Sequence, residues 1–401
     1  MGKGHVELIN PERFEGEYKI DKQKLWNAAK KATDKLLKVA SEHPENYFPG
    51  TSSKDYKYEF AERNANWECG MYTGCFWLAH LLTGEYSFKN IAAKHIESFR
   101  KAFENNISLN DHDVGFRHVP SVVASYKLFG EESDKDLALG ALSVYYDNQY
   151  SEKGKFILRC NGKGWKKHEL GWCRTMMDTL MNISFLFWGY NETGDEKYKT
   201  AAMSQLNTTN ELLIREDGSS YHHYQFDPNT HAPMYGLTLQ GYSADSTWSR
   251  GQAWGAYGFP IAYSYTGEEY IKELSKNVIN YTLNHLPEDL IPNWDYDFVN
   301  PFAPRDASAA LITACGMHEL ARHLPESDKY KKIYENASAR LLEAVIDNCT
   351  NEIGVEYDGL ISHVTHAYML DKRHDECAVY GDFFYLEAIC RHLLPDFNKF
   401  W

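Results

Sequence analysis

The chain has 401 residues, enough for one large domain or two ordinary ones. Hydrophobic residues make up 43% and charged residues 24%, which excludes wholesale disorder, and a formal net charge of -14 argues against nucleic acid as a partner. Aromatic residues reach 14%, with Trp 10 and Tyr 28, a richness that suits a large core or a cleft that stacks on flat rings.

From the start of the chain, Met1 to Phe14 carries no apolar signal-like run, and no later stretch approaches a membrane span. The expected compartment is therefore cytoplasmic, or periplasmic if a leader has been trimmed. Apolar residues recur three and four apart over 25–40, 137–150, 278–285 and 333–347, which predicts helices. Only short patches at 155–160 and 354–357 read as extended.

A turn signal with a following acid recurs along the chain: Thr83-Gly84-Glu85, Phe129-Gly130-Glu131, Thr193-Gly194-Asp195, Thr266-Gly267-Glu268, Leu324-Pro325-Glu326 and Leu394-Pro395-Asp396. The spacing averages roughly 60 residues, two helices plus connections, so six signals imply six helical hairpins. Unequal intervals and long insertions at 217–245 and 287–306 favour a closed toroid over an open solenoid. The predicted fold is all-α, an (α/α)6 barrel, with residues 1–401 forming a single catalytic domain.

The eight cysteines form no C-x-x-C pair, and several lie in apolar runs, as in Thr313-Ala314-Cys315-Gly316. They read as reduced, buried thiols.

Three segments carry candidate chemistry. In Gly171 to Ile183, Asp178 stands in a predicted helix among Met, Leu and Ile. Burial would let it keep a proton and act as a general acid; equally, it could cap the helix or pair with Arg174 one turn earlier. In Asn110-Asp111-His112-Asp113-Val114-Gly115-Phe116, short polar residues before glycine predict a loop with Asx turns. The functional alternative makes Asp113 a second carboxylate beside His112. In Gln240 to Trp254, Trp248 and Trp254 flank Arg250, pairing walls for a sugar ring with a planar fork suited to a carboxylate.

Adjacent side chains of His222 and His223 diverge and no carboxylate follows at ligand spacing, so no metal is expected. Asp306 and Asp382 read as helix N-caps without chemistry. No phosphate loop, dinucleotide fingerprint or nucleophile elbow occurs, so no cofactor is expected.

Five stretches in order resemble glycoside hydrolase family 88, the unsaturated glucuronyl hydrolases. They are His112 to Phe116, Met177-Asp178, Thr247 to Gly258 (TWSRGQAWGAYG), Arg305 to Leu320 and Tyr380 to Ala388. The resemblance implies the same six-hairpin barrel and an enzyme acting on lyase-generated oligosaccharides whose terminal uronic acid carries a C4=C5 double bond. Asp178 matches the residue that protonates C4 and takes a proton from the water adding at C5. Asp113 matches the second carboxylate. Trp67, His112, His222, Gln240, Trp248, Arg250, Trp254 and Tyr368 match pocket positions, with His223 an alternative to His222. Arg250 and Gln240 are the candidates for the uronate carboxylate, and Trp67 and Trp254 for stacking.

Members adapted to sulfated chondroitin disaccharides resemble one another in a Ser-x-x-Ser-x-Lys loop. Here that stretch is Ala367-Tyr368-Met369-Leu370-Asp371-Lys372; both serines are missing and only Lys372 remains. The expected partners are unsaturated uronate oligosaccharides of the glycosaminoglycan type. The rivals are an unsaturated rhamnogalacturonyl hydrolase acting on pectin fragments, a sugar epimerase on the same barrel type, and a catalytically silent helical-repeat carbohydrate-binding protein.

Overall fold

Four glycines in left-handed backbone end four apolar helices where the turn signals stand: Gly84 (φ 73°), Gly130 (φ 72°), Gly194 (φ 71°) and Gly267 (φ 66°). A residue without Cβ enters this region at no steric cost, and its N–H closes the last helical turn. Each glycine is followed at once by a second helix, so each turn signal is the short connection of a helical hairpin.

The computed structural model describes residues 4–163, 170–350, 356–370 and 374–401. Its helices are α1 (Lys22–Ser41), α2 (Glu68–Thr83), α3 (Tyr86–Glu104), α4 (Val114–His118), α5 (Ala124–Phe129), α6 (Glu132–Gln149), α7 (Thr179–Asn182), α8 (Ser184–Thr193), α9 (Glu196–Thr208), α10 (Ser249–Thr266), α11 (Glu269–His285), α12 (Ala307–His323), α13 (Lys329–Asn348) and α14 (Val379–Leu393). A π turn over Val119–Val123 joins α4 to α5, and only Ile183 separates α7 from α8.

Six helical units are buried nearly all round: α2, α4–α5, α7–α8, α10, α12 and α14. Each packs against the next, and α14 packs on α2, so the ring closes. The other six units, α1, α3, α6, α9, α11 and α13, keep a polar face and form the outer layer; α1 packs against α14. This is the (α/α)6 barrel that the repeats predict. Close approach in the inner ring needs glycine: a Cβ on Gly316 of α12 would stand 2.1 Å from the Ala256 carbonyl oxygen of α10.

Short turns lie at one end of the barrel and long connections at the other. The long ones carry the little sheet structure present: β1 (Phe48–Pro49) with β2 (Phe60–Ala61), β3 (Tyr150–Ser151) with β4 (Phe156–Ile157), and an antiparallel sheet of β5 (Arg174–Met176), β6 (His223–Phe226) and β7 (Pro233–Leu237). The patch at 155–160 holds β4. Of the patch at 354–357, Gly354 and Val355 lie outside the described residues, and Glu356 and Tyr357 are not in a strand.

The three-stranded sheet corrects the predicted helix around Asp178. Arg174–Met176 is a strand, and Asp178 follows it in a turn as the residue preceding α7. The Met-rich run is apolar because the strand lies against the inner helices, not because it is helical. All eight cysteines are buried free thiols. No helix among the described residues is long and apolar enough to cross a membrane.

Candidate active site

The six inner helical units all start at the end of the barrel that bears the long loops. The residues standing just before them are Trp67, Asp113, Asp178, Trp248, Asp306 and Ala378. Helix N-termini expose unpaired N–H groups and a partial positive charge, so this arrangement surrounds one point with six such ends. An anion is favoured there in spite of the net charge of the chain. The Asp306 side chain caps its own helix, accepting from Ala309 N. Those of Asp113 and Asp178 make no cap hydrogen bond and are left for other work.

A cavity of about 840 Å³ opens at this end. It is lined by eight of the predicted site residues: Trp67, His112, Asp113, Asp178, Gln240, Trp248, Arg250 and Trp254. His222 is buried behind this wall, with its ring centroid 4.4 Å from that of Trp248. Burial brings His222 down to about 3, so it carries no charge at neutral pH, and His223 pairs with Met176 in the sheet. Tyr368 stacks on Trp294 at 4.7 Å, outside the lining. Lys372 lies outside the described residues.

The carboxylates meet at His112. Its Nδ1 is 2.8 Å from Asp111 Oδ1, and its Nε2 is 3.4 Å from Asp113 Oδ1 and 3.3 Å from Asp178 Oδ1. Asp111 also accepts from Asp113 N at 3.1 Å, the Asx turn expected of this loop. Burial disfavours a charged imidazole, but the carboxylates of Asp113, Asp111 and Asp178 outweigh it and hold His112 well above its ordinary value.

The two catalytic candidates are pushed apart. Burial raises Asp113 well above the carboxylate range; the His112 charge opposes this, while those of Asp111 and Asp178 add to it. Burial acts on Asp178 in the same sense, yet the His112 imidazolium brings it below its ordinary value. The expectation of a protonated Asp178 in apolar surroundings is therefore corrected. Asp113 is held up and Asp178 down, because the sequence neighbours of Asp178 are not its spatial neighbours.

Asn182 ties both aspartates together. Its amide donates to Asp113 Oδ1 at 3.3 Å and to the Asp178 carbonyl at 3.1 Å, while its oxygen accepts from Phe116 N at 2.6 Å. Gly115 permits this approach, since a Cβ there would stand 2.5 Å from the Asn182 carbonyl oxygen.

Arg250 is held differently from the prediction. Its guanidinium is paired with Asp306, donates to the carbonyls of Thr365 (2.9 Å) and His366 (2.6 Å), and lies between the rings of Trp248 and Tyr380. Gln240 donates to the same His366 carbonyl at 2.7 Å. Asp306 is thus a cap and also the counter-ion of a cavity residue. Trp254 is 2% exposed, packed on Phe116 and Phe384, and forms floor; Trp67 is half-buried beside Tyr380.

Comparison with known proteins agrees with this fold. The model of Glycosyl Hydrolase Family 88 matches residues 40–297. The chain belongs to glycoside hydrolase family 88. This family 88 enzyme is 37% identical over 395 residues to the unsaturated chondroitin disaccharide hydrolase of Streptococcus pneumoniae (strain ATCC BAA-255 / R6), covering 98% of each chain. Its fold matches the crystal structure of unsaturated glucuronyl hydrolase from Streptococcus agalactiae with a TM-score of 0.92 and 34% identity, covering 100% of both chains. An Asp-to-Asn variant of that protein, complexed with dGlcA-GalNAc6S, matches with a TM-score of 0.86, 32% identity and 100% coverage of both.

Several cavity residues of the family 88 enzyme escaped sequence reading. Arg174 was read only as a helical neighbour of Asp178 and Arg159 was not singled out; nor was Asn182, which is fully buried outside the lining. Strand alternation was the signal available for Arg174: in an extended run, 174 and 176 share a face, and both line the cavity.

Proposed function

We propose that this family 88 chain is an unsaturated glucuronyl hydrolase, removing a terminal unsaturated uronic acid from lyase-generated glycosaminoglycan oligosaccharides. The observation that carries the reading is the placement of Asp113 and Asp178 side by side around His112 Nε2, at the focus of six helix N-termini. Ordinary glycosidases set two carboxyls on opposite sides of the anomeric centre, with room between them for the sugar or a water. Here an imidazole occupies the gap, which suits proton delivery from one wall to a double bond.

The uronate carboxylate binds at the helix N-termini, within reach of the remaining donors of Gln240 and Arg250, and the ring lies between Trp67 and the Trp254 floor. Its negative charge raises the proton affinity of Asp178. His112 passes its Nε2 proton to Asp178 and is refilled from Asp113, since both oxygens lie within 3.4 Å of that nitrogen.

Asp178 then protonates C4, and water adds at C5, giving its proton back to Asp178. The C5 hemiketal opens by breaking the bond from C5 to the ring oxygen. The hemiacetal left at C1 expels the remaining saccharide as an alcohol, so the net change is addition of one water. No step needs a metal or redox group.

The test is loss of the ultraviolet absorbance of the conjugated C4=C5 bond from an unsaturated glycosaminoglycan disaccharide, with an unsaturated pectin disaccharide alongside. Decay of the first alone supports the reading, and decay of the pectin substrate alone replaces it with the rhamnogalacturonyl one. Release of neither chromophore overturns it.

A further inference from the structure

Beside Arg117, which donates to the carbonyls of Ile107 and Asn64, the cavity holds two cations that the mechanism does not use. Arg174 lies on β5, where alternation turns Arg174 and Met176 toward the same space, and Asp178 lines that space from the turn after the strand. Thr175 faces the other way and bonds Gln205 at 2.9 Å. Arg159 comes from the loop after β4. Its N–H donates to the Arg174 carbonyl at 2.8 Å and its own carbonyl accepts from His112 N at 2.9 Å, so main-chain bonds fix both arginines relative to the catalytic histidine.

Neither guanidinium forms an ion pair among the described residues, and Arg174 Nε is buried without a hydrogen-bond partner. An unmatched buried donor is costly, and in a cavity wall it points to an acceptor that arrives from outside. Arg250, by contrast, faces the carboxylate of Asp306, and His112 stands within 3.4 Å of three carboxylates. Burial and the neighbouring Arg159 lower Arg174 to about 10, so it stays cationic at neutral pH.

We infer that Arg159 and Arg174 form an anion subsite that selects oligosaccharides whose second sugar, the one released, carries a sulfate ester. This inference rests on the function proposed above. The uronate must present C4 to Asp178, and Arg174 precedes Asp178 by four residues with Met176 between them in the cavity wall; one strand repeat from Met176 to Arg174 is roughly 7 Å. An anion there belongs to the next sugar. In a uronate–hexosamine fragment that sugar is uncharged except for sulfate, and two planar forks suit its oxygens. The subsite lies on the wall of β5, not in the 367–372 loop that has lost its serines.

The experiment measures kcat and KM on four unsaturated uronyl–hexosamine disaccharides, unsulfated, 4-O-sulfated, 6-O-sulfated and N-sulfated, with wild type, Arg159→Gln, Arg174→Gln and Arg174→Lys. The expected result is a wild-type kcat/KM about tenfold higher for a sulfated substrate than for the unsulfated one, the worth of one charge-assisted contact. That ratio collapses in both glutamine variants through KM and is partly restored by lysine. A ratio at or below unity for every sulfated substrate in wild type overturns the inference. So does a ratio that both glutamine variants leave unchanged, which is what a merely structural role, or a grip on the uronate itself, would produce. If wild type consumes none of the four, the parent function fails, and this shows before any variant is compared.

Discussion

The Nε2 atom of His112 stands 3.3 Å from Oδ1 of Asp178, at a position 5% exposed for the histidine side chain and 13% for the aspartate. In so dry a place the charge of one group sets the proton affinity of the other. Most of the chemistry expected of this protein follows from that contact.

Asp178→Asn keeps the shape of the side chain and removes the exchangeable proton. The variant is expected to show wild-type helical circular dichroism and to lose about a thousandfold or more in kcat, the scale of general acid–base catalysis. Near wild-type decay of the substrate chromophore in this variant would remove Asp178 from the mechanism.

His112→Gln removes the positive charge that keeps Asp178 below its ordinary value. The acid form of Asp178 in the substrate complex protonates C4, so turnover falls as pH rises through its value there. Losing the cation raises that value, and the falling limb of the kcat–pH profile moves to higher pH at reduced overall rate. A limb that stays in place, or moves to lower pH, contradicts the coupling.

Asn182→Ala breaks three bonds at a fully buried position, those to Asp113, the Asp178 carbonyl and Phe116 N. The expected loss is about 1–3 kcal/mol in urea denaturation. Activity should fall further than stability explains, because Asp113 loses its tether. Retained kcat with lowered stability would make Asn182 a packing residue alone.

Asp306→Ala leaves the guanidinium of Arg250 buried without its carboxylate and α12 without its cap. Breaking a buried ion pair of this kind costs about 3–5 kcal/mol, and losing the cap adds about 1 kcal/mol. Thermal unfolding measures the sum, and a rise in KM is expected with it as Arg250 shifts. A variant as stable as wild type would show that the pair is not formed.

Asp382 is a second group for which pH matters. It lies inside the first turn of α14, not at its cap, and it accepts from the backbone N–H groups of Leu360 and Ile361 and from the Tyr58 hydroxyl. Burial pushes it up to about 7, from about 3.9 in an unfolded chain. Its folded value is raised, so its contribution is complete below the unfolded value and is lost as pH rises toward 7. Melting temperatures between pH 5 and 8 should fall less steeply in Asp382→Asn than in wild type; equal slopes would refute the assignment.

The hairpin count, the turn positions and the closed all-helical layout were written locally in the chain. Gly84, Gly130, Gly194 and Gly267 act through their own backbone, and the apolar spacing of inner and outer helices needs only near neighbours. The gathering of Trp67, His112, Asp113, Gln240, Trp248, Arg250 and Trp254 around Asp178 was legible only through the family resemblance.

What tertiary structure decided is which charges face one another. Asp113, Asp178 and Asp306 occupy equivalent places before inner helices, and nothing local says that one caps while two turn into the cavity. That Asp306 neutralises Arg250, that His112 takes the proton affinity of Asp178 down, and that Arg174 stands on a strand with no ion pair among the described residues are consequences of ring closure. Closure brings residues from six distant segments within a few ångströms, where Coulomb interactions in a dry site outweigh the preferences of any one segment.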